Sequence, residues 1–172
     1  MTLNSSRLVI AQGIVLMLQG VMNGSNPLYG PGASAVKLGA MFDPTPFTTG
    51  WAEVTFHQAR SGPVGSGGNM VGWRIEDNPI FRITSGWRYD TDSTAATTSM
   101  LTAMDILMPI LHSHYQIPAP GNPTQPIASI YSLLEDQPER AMPVKFPNGD
   151  VYLLWETYCT AKQQYNVTIV NP

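Results

Sequence analysis

The residues with chemical potential are few. His112-Ser113-His114 places two imidazoles two positions apart. In a strand they would share a face and hold a metal ion; on a helix, at about 100° per residue, they point roughly 200° apart. The apolar periodicity before them puts them at a helix end, where a histidine suits the negative pole of the helix dipole. Asp90 and Asp92 are spaced like a metal or sugar-nucleotide contact, but a helical repeat follows directly. They read as its start, where a side-chain oxygen accepts from the free N–H groups of the first turn. His57 falls on the polar side of a strand with Glu53, as a solvated or interface residue. Residues 62–68 are glycine-rich but lack the Gly-Lys-Ser/Thr of a phosphate loop, and they read as a hairpin tip. Cys159, the single cysteine, excludes an internal disulfide and reads as a buried thiol. No nucleophile–base set and no paired carboxylates stand out. The expectation is therefore no enzyme, no metal and no cofactor.

The elements that must position these residues are read from composition and period. The chain has 172 residues, enough for one domain with a real core. Apolar residues make up 43%, which is ordinary, while charged residues make up only 12%, about half the usual share of roughly 25%. A monomer covers its surface with charge. So few charges point to faces buried in an assembly, whose cores are depleted in charge and enriched in aromatics and Met. The nine Met and four Trp fit that use. The net charge of −3 comes with no Lys/Arg cluster, which argues against binding to a phosphate backbone. The apolar run 8–22 is preceded only by Arg7 and interrupted by Gln12 and Gln19. It reads as a buried helix and not as a secretion signal or membrane span, so the Asn-x-Ser/Thr sites carry no weight.

The expected order is a helix over residues 5–22, an irregular Gly/Pro-rich arm over 23–50 and strands over 51–58, 71–77 and 81–89. A helix over 93–113 follows, then an irregular stretch 115–143 and strands over 144–146, 151–158 and 165–170. Within the arm a short strand fits near residues 36–41. Residues 127–135 fit a short helix, and Pro109 should kink or end the second long helix. Asn78-Pro79 should break a strand, and Asn148-Gly149 suits a type I′ hairpin turn. The key stretch is 81–114. Phe81, Ile83 and Trp87 alternate with polar residues, as in a half-buried strand, and Ala96, Met100, Leu101, Met104, Leu107, Met108 and Leu111 then recur at helical spacing. The fold class expected is α+β. It is a mixed, mainly antiparallel sheet of four to six strands, packed by an N-terminal and a central helix, with long Gly/Pro-rich loops.

The apolar first helix, the strand 81–89 running through Asp90-Thr91-Asp92-Ser93 into the helix 94–114, and the closing strands together span roughly 100 residues. This pattern resembles the tail terminator family of tailed bacteriophages. The resemblance implies a small α/β subunit of a hexameric ring that caps the tail tube and joins it to the neck or connector. It would be a virion protein assembled in the host cytoplasm, not secreted, with DNA only as cargo and no membrane partner. A stopper or tail tube protein shares the composition. Two further readings stand beside this one: a small-molecule or peptide-binding α+β domain whose pocket is lined by Trp51, Trp73 and Trp87, and a hydrolase with His57 as base, which has the least support. The candidate interface residues are Tyr29, Phe42 and Phe47 of the arm and Val64, Gly65, Gly67 and Gly68 of the glycine-rich loop. The candidate lining of a neutral or acidic channel is Glu53, Glu76, Asp77 and Asp150.

Overall fold

The structure is a computed structural model of the chain and describes residues 7–30, 35–40, 43–47, 49–63, 73–113, 115–132 and 140–167. It is α+β, with two helices and a mixed, mostly antiparallel sheet of seven strands. In chain order the elements are α1 (Arg7–Gln19), β1 (Met22–Asn23), β2 (Asn26–Pro27), β3 (Val36–Leu38), β4 (Trp51–Pro63) and β5 (Trp73–Arg88). They continue with α2 (Ser93–His112), β6 (Gln116–Ala119), β7 (Asn122–Ser132), β8 (Arg140–Lys145) and β9 (Val151–Val167). The large sheet runs β3-β4-β5-β9-β7-β6, with β8 also paired to β9; β1 and β2 form a separate small hairpin. Among the described residues only β3 pairs in parallel, with β4.

The two halves of the alternation in β5 build two faces. Phe81, Ile83, Ser85 and Trp87 lie opposite Cys159, Thr157, Trp155 and Leu153 of β9, and all are buried. This is the face the helices cover. α1 packs on β3, β4, β6 and β7, and α2 on β5, β7 and β9. Gly13 lets α1 close onto β6, since a Cβ there would sit 2.5 Å from Ile117 Cγ2. Gly13 is itself buried there. α2 begins as expected: Asp92 Oδ1 accepts from the N–H of Ala95 at 2.9 Å. Its buried stripe is Ala96, Met100, Ala103, Leu107 and Leu111, one face of a helix. Leu101, expected in that stripe, is 52% exposed. Pro109 does not end the helix, which runs on to His112. Both Pro109 and Asp105, whose carbonyl loses its partner, lie on the exposed side, so that carbonyl is not sealed in the core.

On the other face of the sheet, Trp51 lies over Gly86, its strand partner; a Cβ on Gly86 would sit 2.5 Å from the indole. Trp51, Tyr152 and Phe146 pack edge-on with centroids 5.1–6.3 Å apart, and Phe47 and Leu154 close the cluster.

Several expected boundaries shift. The first helix stops at Gln19, because Val21 and its neighbours are drawn into the β1–β2 hairpin, with Leu28 N–H donating to Val21 O at 2.9 Å and Gly24 turning at φ +62°. Strands expected at 71–77 and 81–89 are one strand, and Pro79 pairs with Ala59 inside it. The proline is tolerated because the ladder to β9 lapses at Asn78 and Pro79, so no N–H is demanded there. The closing strands are likewise one, β9, because Thr157, Cys159 and Ala161 continue the inward alternation with small side chains. Residues 127–132 are strand rather than helix: Ala128 and Ile130 are buried at period two. The turn after β8 is a three-residue loop, Pro147-Asn148-Gly149, and not a type I′ pair. Gly149 N–H donates to Phe146 O at 2.9 Å and Gly149 takes φ +95°, the type I plus bulge geometry that Pro147 favours.

The packing fixes what substitutions do. Leu107→Ala, fully buried, is expected to cost about 2–5 kcal/mol. Leu101→Ala is expected to stay within about 0.5 kcal/mol. Gly86→Ala, which must displace the Trp51 ring, is expected to cost about 1–3 kcal/mol. Urea unfolding of the three variants checks all of these.

Candidate assembly surface

Among the described residues the sequence-derived candidates do not come together. Tyr29 is buried: its hydroxyl shares a 2.7 Å hydrogen bond with Ser85 and its ring stacks on Trp87 with centroids 6.4 Å apart. Burial pushes its phenol above the ordinary value, only partly offset by Ser85. It holds the arm to the sheet rather than facing a neighbour. Phe47 is half-buried on the Trp51–Tyr152 cluster. Phe42, Val64, Gly65, Gly67 and Gly68 lie outside the described residues. Trp51 and Trp87 stand on opposite faces of the sheet, so they line no common pocket; the side chain of Trp73 is outside the described set.

Three of the four carboxylates proposed for a channel are otherwise engaged. Asp77 is buried and takes a two-pronged ion pair from Arg7, Nε at 3.1 Å and the terminal nitrogen at 3.0 Å. This ties the start of α1 to β5, and the carboxylate also suits the positive end of the helix. Arg7 further lies 5.7 Å over the ring of Phe56. Glu53 is buried on the bare sheet face, in register with Thr84 and, across β5, with Glu156. Asp150 pairs with Arg88 at 2.8 Å. Glu76 lies on β5 with its side chain outside the described set. Two of the four are thus withdrawn into the subunit and one is paired with an arginine.

His57 is exposed, its ring edge-on to Tyr158 at 5.1 Å. Among the described residues no three of His, Cys, Asp and Glu gather as a metal site would need.

The feature that sequence reasoning missed is apolar and exposed. On the outer side of α1, Leu16 is 39% exposed, and Met22 and Leu38 beside it are 48% and 43% exposed. Leu16 forms a wall of two adjoining concavities. One, of about 590 Å³, includes Met22, Ile106, Ile110 and Tyr115; the other, of about 220 Å³, includes Val15, Leu38 and Pro120. Among the described residues no charged side chain lines either. The charges sit elsewhere: Arg82–Glu156 at 3.6 Å and Arg88–Asp150 lie on the sheet face away from the helices. Leu16 taken singly carries no signal, since an exposed leucine is ordinary. Only the fold brings Met22, Leu38 and Tyr115 to it.

A larger concavity, about 980 Å³, runs between the β1–β2 hairpin and the first half of α2, with Trp87 and Arg88 in it. Its Thr98 and Thr102 hydroxyls already donate to the carbonyls of Thr94 and Thr98 at 2.9 Å, so these side chains offer a ligand acceptors and no donors. α2 is also long and apolar enough to cross a membrane by length and composition alone. Here one side of it packs on the sheet. No family model matches the chain, and no curated protein matches it.

Burial pushes the Cys159 thiol from its ordinary 9.0 up to about 12. The folded state therefore keeps a proton that the unfolded chain loses. Stability from this group is complete below about pH 9 and declines as pH rises from there through about 12; buried Tyr29 adds in the same direction. We expect no reaction of Cys159 with an aromatic disulfide reagent at neutral pH until denaturant is added, and an alkaline loss of stability that Cys159→Ala reduces. Rapid native-state labelling would contradict the burial.

Proposed function

We propose that the chain is a structural subunit of a virion ring, a tail terminator or neck component that closes on itself, most simply as a hexamer. In that place it would cap the tail tube and join it to the head-proximal connector, without catalysis and without a cofactor. The observation that carries the reading is the uncharged apolar strip around Leu16, open in the single chain on a protein with only 12% charged residues. Exposed apolar surface of this kind, rimmed by neutral polar residues, marks protein–protein contact. The continuous passage from β5 through the Asp90–Asp92 turn into α2 supports the resemblance in element order. DNA would pass as cargo, since no basic cluster exists to hold phosphates. A tail tube or stopper protein would present the same features. The groove beside α2 favours one other reading, a small-molecule or peptide-binding domain acting as a monomer.

Sedimentation velocity with light scattering separates the two. The assembly reading expects a closed oligomer that Leu16→Glu converts to folded monomer, while Leu101→Glu, on the exposed side of α2, does so less. A wild-type protein that stays monomeric at high concentration would overturn it.

A further inference from the structure

The arm is held by a hydrogen-bond chain that passes through one amide. Asn148 Nδ2 donates both protons, to Thr45 Oγ1 at 2.8 Å and to Asp150 Oδ2 at 3.0 Å, while its oxygen accepts from the Asp150 N–H at 3.1 Å. Beyond Thr45 the chain ends on Asp43, which accepts from the Thr45 hydroxyl at 2.6 Å and from its N–H at 3.0 Å. Beyond Asp150 it ends on Arg88, which also holds Asp90 at 3.1 Å. The chain joins residues 103 apart in sequence and lies beside the Trp51–Tyr152 cluster that Phe47 covers. Only an amide fits the middle of it, because two donors are needed on one side and an acceptor on the other.

Asn148 is also followed by Gly149, the pairing in which the next backbone nitrogen most easily reaches the side-chain carbonyl. We propose that Asn148 is a modification site, an arm latch that the fold protects from deamidation and that deamidation opens for good. In the reaction the Gly149 nitrogen, after losing its proton to hydroxide, bonds to Asn148 Cγ. The Cγ–Nδ2 bond breaks and the nitrogen leaves as ammonia, taking a proton from solvent. Water then opens the succinimide to aspartate or isoaspartate. In the fold both reacting groups are occupied: the side chain by three hydrogen bonds, and the Gly149 N–H by Phe146 O at 2.9 Å. Reaction thus requires the latch to open first. The product cannot close it again. A carboxylate at position 148 has no proton for Thr45 or Asp150, and it stands where the amide nitrogen lay, 3.0 Å from the Asp150 carboxylate. Isoaspartate also lengthens the backbone of a turn fixed by Gly149 at φ +95°.

The chain carries its own comparison. Asn23-Gly24 lies in the exposed β1–β2 turn, and among the described residues the Asn23 side chain makes no hydrogen bond. The test is peptide mapping by mass spectrometry after incubation at mildly alkaline pH, on folded protein and on protein in guanidinium. In guanidinium both asparagines should convert at similar rates. In the folded protein Asn148 should convert several-fold more slowly than Asn23, and Thr45→Val, which removes one acceptor, should narrow that gap. Hydrogen exchange of Asn148→Asp should show the amides of Thr45 and Phe47, which donate to Asp43 Oδ1 and Pro44 O, losing protection while β5 and β9 keep theirs. Equal conversion of Asn23 and Asn148 in the fold overturns the protection. Unchanged arm exchange in Asn148→Asp overturns the latch; should that variant fail to fold, arm exchange in Thr45→Val decides the same point. The proposal stands apart from the assembly reading: arm exchange in Asn148→Asp does not involve the Leu16 patch, and the comparison with Asn23, which adjoins Met22, is made on dilute protein so that coverage by a second subunit does not slow Asn23.

Discussion

β5 is paired on both edges, from Trp73 opposite Val167 to Arg88 opposite Tyr152 on one side and from Ile75 opposite Pro63 to Gly86 opposite Trp51 on the other. That double pairing is the constraint from which the rest follows. A strand held in this way has a fixed register, so each of its residues has a fixed face. Phe81, Ile83, Ser85 and Trp87 go to the helix side, where α2 and Tyr29 find them. Gly86 goes to the other side, where its missing Cβ admits the Trp51 ring and founds the second cluster. A slip of one residue would put Trp87 among the ion pairs and Arg88 in the core.

The two faces are finished by different physics. The helix side is closed by apolar contact, with α1 brought down at Gly13 and α2 at Ala96 and Ala103. The opposite side carries a small aromatic cluster, and beside it the arm is pinned by Asp43, Thr45, Asn148, Asp150 and Arg88. The charge-poor composition thus has a structural counterpart. Some of the charged side chains form ion pairs, Arg7 of α1 with Asp77 and Arg82 with Glu156 among them, and the outside of α1 is left apolar around Leu16.

The fold class, the strand–turn–helix passage at Asp90–Ser93 and the Leu107 side of α2 were legible in the sequence because each has a strong local period or cap. What was not legible is instructive. Ala128 and Ile130 carry a period of two that Ile127 and Tyr131 disguise as helical spacing. Small residues at Thr157, Cys159 and Ala161 hide the continuation of β9 from a reading based on large apolar side chains. Pro79 breaks strands in general but not where a neighbouring ladder already lapses. The candidate surface was hidden for a different reason. Glu53 and Asp77 looked free because their burial and the Arg7 partner come from elements distant in sequence, and Leu16, Met22, Leu38 and Tyr115 become one patch only after α1, β3 and α2 are packed.

The central claim is that this patch is covered by another protein subunit when the chain is at work. Hydroxyl-radical footprinting of the purified protein over a dilution series reads it directly. The account expects Met22 and Leu16 to be protected at high concentration and to become reactive on dilution, while Leu101 reacts throughout. Full reactivity of Met22 and Leu16 at every concentration would contradict it.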